Sequence, residues 1–273
     1  MIEDMTGVYS EEYTKRKTKE KFREAIARWK YVSRWWPIFN AQTPCFFDYT
    51  CANHECDIEN IRATLRRKRI SKEEISLIVF DKHTDMYPMD SEKSRQVIKQ
   101  VVKIGGNAEL NCANWLLWML KMGYSGISLI GATDFTNNHT EEHNPHYWTF
   151  RDKIDFFVDD SFDKQKEFGQ EECSIEFRRI CDFGDKPLRR YSFISLDCDV
   201  SEAFNPHPSY TRGVCGSMKL NDVTAAIADV RKRSQLIGMS IYGVCGDPGG
   251  IFNSFSRNEQ NLERVLEAAN KKD

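Results

Sequence analysis

The stretch that decides the fold is SLIVFDKHTDMYP, residues 76–88, in which metal-binding residue types follow an apolar run. Residues 77–80 are all apolar, as in a strand that is buried on both of its faces. Asp81, His83 and Asp85 then occupy every second position. Side chains two positions apart on an extended chain point the same way. If the backbone stays near-extended past the apolar run, these three side chains can therefore converge on one point.

A second apolar run ends in the same manner. In YSFISLDCDV, residues 191–200, Asp197 and Asp199 come at the end of a strand-like segment. Four carboxylates and an imidazole at strand ends repel one another unless a cation lies among them. Oxygen-rich ligation with some imidazole suits Mn²⁺ or a similar divalent ion, whereas thiolate-rich sites favour zinc. The carboxylates outnumber the needs of one ion, which predicts a two-metal centre. Acids that cap helices or pair with surface lysines are the alternative for either motif alone.

Helix-like and strand-like segments alternate along the chain. Helices are predicted over residues 10–36, 58–70, 91–104, 109–122, 219–233 and 257–271. Strands are predicted over residues 75–80, 127–131, 191–197 and 236–244. This alternation predicts an α/β fold, a single three-layer αβα domain over residues 1–273 with a mostly parallel, doubly wound sheet. Ligands bind at the carboxyl ends of the strands in such sheets, where this sequence places its acids. The helix over residues 10–36 is a candidate appended element, and residues 150–190 give no clear assignment.

Composition excludes several classes of function. The chain has 273 residues, of which 40% are hydrophobic, and its net charge of −2 gives no general attraction to nucleic acid or to an anionic membrane. No apolar run approaches the roughly 20 residues of a membrane span. The first residues contain no apolar signal-peptide core. These features predict a cytoplasmic protein with neither a nucleic-acid nor a membrane partner.

The two acidic motifs resemble those of the ureohydrolase superfamily, which contains arginases, agmatinases and formiminoglutamases. That family has a strand ending in D-A-H-x-D, a later strand ending in S-x-D-x-D, and an upstream histidine. FDKHTD and SLDCD match the two motifs, and CANHECD offers a histidine at the appropriate distance. In order and spacing the resemblance spans about residues 44–250. It implies the metal-ligand set His54, Asp81, His83, Asp85, Asp197 and Asp199.

The resemblance also implies an activity. The family uses two Mn²⁺ ions to activate water, which attacks a guanidinium or related carbon and releases urea and an amine. By this likeness His54 and His83 would each bind a different ion, and Asp85 and Asp199 would bridge the two. Ureohydrolases commonly form trimers or hexamers, so a homo-oligomer is expected.

The residues that would handle protons differ from the arginase pattern. Glu109 of GGNAE stands where arginases place a proton-shuttling histidine, and Asn107 of the same segment is a candidate substrate contact. His143 or His146 of NNHTEEHNPH is a candidate replacement for that shuttle. The identity of the proton shuttle is thus left open, with Glu109 and His143 as the candidate catalytic residues of these two segments.

The residues that would bind the substrate differ as well. Gly243 stands where arginases have a glutamate that pairs with the guanidinium, and Asp247 is the nearest acid. In NPHPSYTRG, Asn205 replaces the acid of a family loop, and His207 follows it as a candidate residue at the rim of the site. The metal-binding pattern therefore matches the family, while the pattern that recognises free arginine does not.

A matching metal-binding pattern without the pattern that recognises free arginine suggests a substrate larger than free arginine. The segment LNCANWLLWM also resembles a helix of peptide arginases. Peptide arginases convert arginine to ornithine within ribosomally made peptides. Our hypothesis is hydrolysis of arginine in a peptide, or of another guanidino compound that is not free arginine. Two alternatives remain: a zinc-dependent, deacetylase-like amide hydrolase with one ion, and a non-catalytic binding protein of arginase fold. Metal content distinguishes all three.

Overall fold

The strands within the described residues form one seven-stranded sheet. The computed structural model describes residues 45–47, 51–87, 110, 112–133, 151–159, 162–163, 175–204, 216–243 and 252–270. The strands are β1 (Cys45–Phe47), β2 (Ile75–Phe80), β3 (Ile127–Ile130), β4 (Ile154–Val158), β5 (Phe177–Arg179), β6 (Tyr191–Asp197) and β7 (Gln235–Tyr242). Their order is β1-β7-β6-β2-β3-β4-β5, and every neighbouring pair is parallel. The predicted parallel sheet is confirmed.

Helices cover both faces of this sheet. In the part of the chain that the structure describes, the α-helices are α1 (Asp57–Lys68), α2 (Trp115–Lys121), α3 (Leu220–Arg233) and α4 (Phe252–Asn270). In β2, Leu77 and Val79 belong to the apolar core formed with α1 and α2, whereas Ile78 and Phe80 belong to the core formed with α3 and α4. Alternate residues of a strand point to opposite faces, so a strand between two helical layers must be apolar throughout. The three-layer αβα architecture is therefore confirmed.

The strand order reverses between β2 and β6. After β2 the chain adds β3, β4 and β5 outward on one side, and then returns to place β6 and β7 on the other side. This reversal opens a crevice at the carboxyl ends of the two central strands, the usual ligand site of doubly wound sheets.

Most predicted elements within the described residues are present, with shifted ends. The helix predicted over 109–122 begins only at Trp115, after a turn at 112–114, and ends before Gly123, which has a φ of +84°. The last helix begins at Phe252 instead of 257. Residues 150–190, which had no clear assignment because many of them are charged, contain β4 and β5.

The helices predicted over 10–36 and 91–104 lie outside the described residues. Within the described ranges, no helix is both long and apolar enough to span a membrane.

Candidate metal centre

The candidate metal centre lies at the carboxyl ends of β2 and β6 and brings together all six residues of the predicted ligand set. One comes from the 3-10 turn that precedes α1, three from the segment that follows β2, and two from the end of β6 and the turn after it. Five of the six side chains are buried, and one is partly exposed. They form two groups, which we call the inner and the outer group.

The inner group is formed by His54, Asp81 and Asp197, with Asp85 beside it. One ligand atom from each of the first three lies within 4.8 Å of the others. The His54 Nδ1 atom is 3.3 Å from Asp81 Oδ2, 3.1 Å from Asp85 Oδ2 and 3.8 Å from Asp197 Oδ2. Only 1% of the His54 side chain is exposed. One imidazole nitrogen thus faces three carboxylates inside the protein.

The outer group is formed by Asp81, His83 and Asp199, again within 4.8 Å of one another. The His83 Nδ1 atom is 3.0 Å from Asp199 Oδ2 and 3.5 Å from Asp81 Oδ1. The side chain of His83 is 38% exposed. The outer group is therefore the side of the centre that solvent reaches.

Asp81 belongs to both groups. Its Oδ2 faces His54 and its Oδ1 faces His83, so that one carboxylate spans the two imidazoles. Asp85 lies in ion-pair contact with His54, and Asp199 with His83. The expectation that Asp85 and Asp199 bridge two ions stays a prediction.

The local backbone also differs from the extended course that the two-residue spacing suggested. The amide N–H of His83 donates to Asp81 Oδ1 at 2.7 Å, and the amide of Asp199 donates to Asp197 Oδ1 at 3.1 Å. An aspartate that accepts from the amide two residues ahead closes a tight turn. Asp85 has a φ of +50°, which is rare and strained for a residue other than glycine. The ligands thus converge through turns.

The electrostatics of the centre favour a bound cation. Burial and the charge of Asp81 raise the pKa of Asp85 to about 7. Burial, with the charges of Asp199 and Asp81, raises the pKa of Asp197 well above its ordinary value. Burial lowers the pKa of His54, but hydrogen bonds to Asp81 and Asp85 outweigh it and raise that pKa well above 6.5. The raised pKa values of Asp85 and Asp197 show that the imidazoles do not fully offset the negative charge of the buried carboxylates.

The donor set fits two divalent ions. Four carboxylates and two imidazoles suit oxygen-preferring metals such as Mn²⁺. Among the described residues, neither the inner nor the outer group contains a thiolate. A carboxylate with one oxygen toward each group is compatible with two neighbouring ions.

Four residues around His54 were not identified from the sequence. The ring centroids of Trp115 and Tyr242 lie 4.7 and 4.6 Å from that of the imidazole. The Ser195 hydroxyl is 2.7 Å from His54 Nε2, and Asp57 Oδ2 is 3.7 Å from the same nitrogen. The serine of the S-x-D-x-D motif could have indicated Ser195, and the His-x-x-Asp spacing could have indicated Asp57. The sequence contains no comparable signal for Trp115 and Tyr242.

The remaining predicted site residues lie outside the described residues. They are the candidate catalytic residues Glu109, His143 and Asp247 and the candidate substrate contacts Asn107, Asn205 and His207. Their roles stay predictions.

No protein-family model matches the chain, and no curated protein matches its sequence. Solved structures do match. The agmatine ureohydrolase of Thermoplasma volcanium aligns with a TM-score of 0.50 at 15% identity, over 92% of this chain and 69% of that one. An arginase from Bacillus subtilis aligns with a TM-score of 0.50 at 13% identity, over 85% of this chain and 73% of that one.

The chain is shorter than these proteins. Its match to the proclavaminate amidino hydrolase from Streptomyces clavuligerus has a TM-score of 0.48 at 15% identity, and covers 85% of this chain but 65% of that one. It therefore spans less than two thirds of that protein's length. At such identities the likeness establishes a shared arginase-like α/β fold.

Proposed function

We propose that this arginase-fold chain is a divergent ureohydrolase, a binuclear metal-dependent hydrolase that cleaves a C–N bond of a guanidino group and releases urea. The observation that carries the proposal is Asp81, whose two carboxylate oxygens face two separate histidine-containing groups. Two proteins that share the fold are named an arginase and an agmatine ureohydrolase, which supports the same class of reaction.

The residues divide between two ions. His54, Asp81, Asp85 and Asp197 would hold the inner ion, and Asp81, His83 and Asp199 the outer one. We propose Mn²⁺ for both because oxygen donors predominate. Ions held by these residues would supply a nucleophile at neutral pH, because a bound divalent cation lowers the pKa of water.

The protein groups perform the other tasks. The oxygen of water adds to the guanidino carbon, the bond from that carbon to the substituted nitrogen breaks, and the nitrogen leaves as an amine after taking a proton. Urea is the second product. Glu109 or His143 is proposed as the group that moves the proton, and Asp247 as the partner of the guanidinium. Because His83 is partly exposed and His54 is sealed, the substrate would approach from the side of the outer group.

We further propose that the guanidino group belongs to arginine within a peptide, or to another compound that is not free arginine. The support is the departure from the arginase pattern at Glu109, Gly243 and Asn205. The test is urea release by the Mn²⁺-loaded protein from arginyl peptides, free arginine, agmatine and other guanidino compounds. Urea from peptides is the expected result. No urea from any member of the panel would refute the proposed activity.

Metal analysis tests the centre independently of the substrate. Two Mn²⁺ per chain are expected after loading. One Zn²⁺ per chain with amide hydrolysis would favour the deacetylase-like alternative, and no retained ion would favour a non-catalytic binding protein.

A further inference from the structure

We propose that Asp57 is a positioning residue that keeps the proton of His54 on Nε2 and so presents Nδ1 to the inner ion. This inference rests on the proposed binuclear centre and extends it to a residue outside the ligand set. It is carried by the placement of a buried carboxylate directly behind a ligand histidine.

Asp57 begins α1 three residues after His54 and is fully buried. Its Oδ1 accepts hydrogen bonds from the Tyr242 hydroxyl at 2.8 Å and from Asn60 Nδ2 at 3.3 Å. Its Oδ2 has no hydrogen-bond partner among the described residues and lies 3.7 Å from His54 Nε2. In that part of the chain, His54 is the basic side chain within ion-pair distance of Asp57. A buried carboxylate oxygen that makes no hydrogen bond is costly, and this one faces the Nε2 ring nitrogen of His54.

The two nitrogens of His54 have opposite surroundings. Nδ1 faces three carboxylates, and it must lose its proton to bind an ion. Nε2 then holds the remaining proton, which can be donated to the Ser195 hydroxyl at 2.7 Å. The negative charge of Asp57 behind Nε2 stabilises this tautomer, because an interaction between buried charges is weakly screened. Metal-binding histidines are commonly oriented by such a carboxylate.

Asp57 is itself held in place from the sheet. Asn60 Nδ2 also lies 3.3 Å from the Ser240 hydroxyl and 3.2 Å from the Tyr242 hydroxyl, which ties α1 to β7. The ring of Tyr242 packs against the His54 imidazole, so the same side chain contacts both the histidine and its carboxylate. Asp57, Asn60 and Tyr242 therefore form one rigid support for His54.

A structural role at the start of a helix is the competing explanation, because an acid in the first turn stabilises the helix dipole. Glu59 provides the matched control: it is a second buried acid in the first turn of α1. The experiment compares Asp57→Asn and Glu59→Gln in the full chain. Mn²⁺ affinity is measured by competition with a chelator, and the absorption spectrum of the Co²⁺-loaded protein reports the ligand geometry.

We expect Asp57→Asn to lower the affinity for one of the two ions by about 10- to 100-fold and to change the Co²⁺ spectrum, while the other ion stays bound. Glu59→Gln should retain wild-type affinities and spectrum. If the wild type binds two ions and folded Asp57→Asn matches it in both measurements, the positioning role is refuted and the proposed function stands. If the wild type binds no ion, both are refuted.

Tyr242→Phe keeps the inference testable if Asp57→Asn does not fold. It removes the hydroxyl that donates to Asp57 and keeps the ring against His54. We expect a smaller loss of affinity for the same ion, about 3- to 10-fold, with a shifted Co²⁺ spectrum. A folded Tyr242→Phe protein with wild-type affinities and spectrum would refute the positioning role.

Discussion

Asp81 and Asp197 lie side by side at the carboxyl ends of β2 and β6, because the register of these strands pairs Phe80 with Leu196 immediately before them. Both strands are buried along nearly their whole length in the middle of the sheet. The two carboxylates thus follow directly from the buried middle of the sheet. Such placement would suit the proposed site for two ions, because side chains held by sheet strands keep a defined separation.

Asp81→Asn should abolish binding of both ions, because Asp81 contributes to both groups. Asp85→Asn should lower the affinity for the inner ion alone, and Asp199→Asn should lower the affinity for the outer ion alone. Metal content per chain after Mn²⁺ loading and dialysis measures this directly. Circular dichroism verifies that each variant is folded. Two retained ions in Asp81→Asn would contradict the shared position of this carboxylate.

The metal-free protein should become less stable as the pH rises from 5 to 8. Folding raises the pKa of Asp85 from its ordinary value of 3.8 to about 7. At a pH between these two values, the folded protein therefore binds a proton at Asp85 that the unfolded chain does not bind. A raised folded pKa contributes stability at low pH that is lost as the pH rises through it. His54, whose pKa is raised above 6.5, acts in the same direction. The measurement is thermal unfolding in a chelating buffer.

Asp85→Asn is the control for this pH dependence, since it removes one of the titrating groups and should make the curve shallower, with the contribution of His54 remaining. Added Mn²⁺ should oppose the loss of stability at high pH, because deprotonated ligands bind the ion. Stability of the metal-free wild type that increases over the same pH interval would contradict the prediction.

Trp115→Phe should lower the affinity for the inner ion with little change in the fold. The indole Nε1–H donates to Asp85 Oδ2 at 2.6 Å, and phenylalanine retains most of the ring that packs against His54. A hydrogen bond to a charged group contributes about 1.5–3 kcal/mol. Chelator competition measures the affinity for Mn²⁺. Trp115→Ala should instead destabilise the protein by about 3–5 kcal/mol, because it also leaves a cavity in the core.

Gly131→Ala should destabilise the fold by about 1–3 kcal/mol. Gly131 follows β3 with a φ of +87°, and a Cβ atom there would lie 2.4 Å from Val200 Cγ2 and 2.5 Å from Met218 Sδ. Chemical denaturation measures the change. Gly184→Ala is the matched control, because a Cβ atom at Gly184 meets nothing within 4 Å. Equal stability of both variants would contradict the close approach at Gly131.

The central strands were predictable from the sequence because both of their faces are buried. The apolar runs that form β2 and β6 leave little alternative, and the acids that follow them marked the ligand end of the sheet. By contrast, β4 and β5 lie in a charged region, and β5 is a short strand at the edge of the described sheet with partly exposed residues. Its sequence therefore lacks the apolar pattern of a buried strand.

The finer geometry of the centre could not be predicted from local sequence. Which carboxylate lies between the two histidines depends on the turns after Asp81 and Asp197, which the two-residue spacing does not reveal. The contacts of His54 with Ser195 and Tyr242 join residues 141 and 188 positions apart, and they exist only because β6 and β7 are neighbours near α1.

The unequal exposure of the two histidines has a kinetic consequence. With His83 at 38% exposure and His54 at 1%, the proposed two-ion centre would be open to solvent only at its outer group. We expect sequential loading, with the inner position filled through the outer one, and removal of the ions in the reverse order. A brief chelator pulse should then leave a species that holds a single, slowly exchanging inner ion.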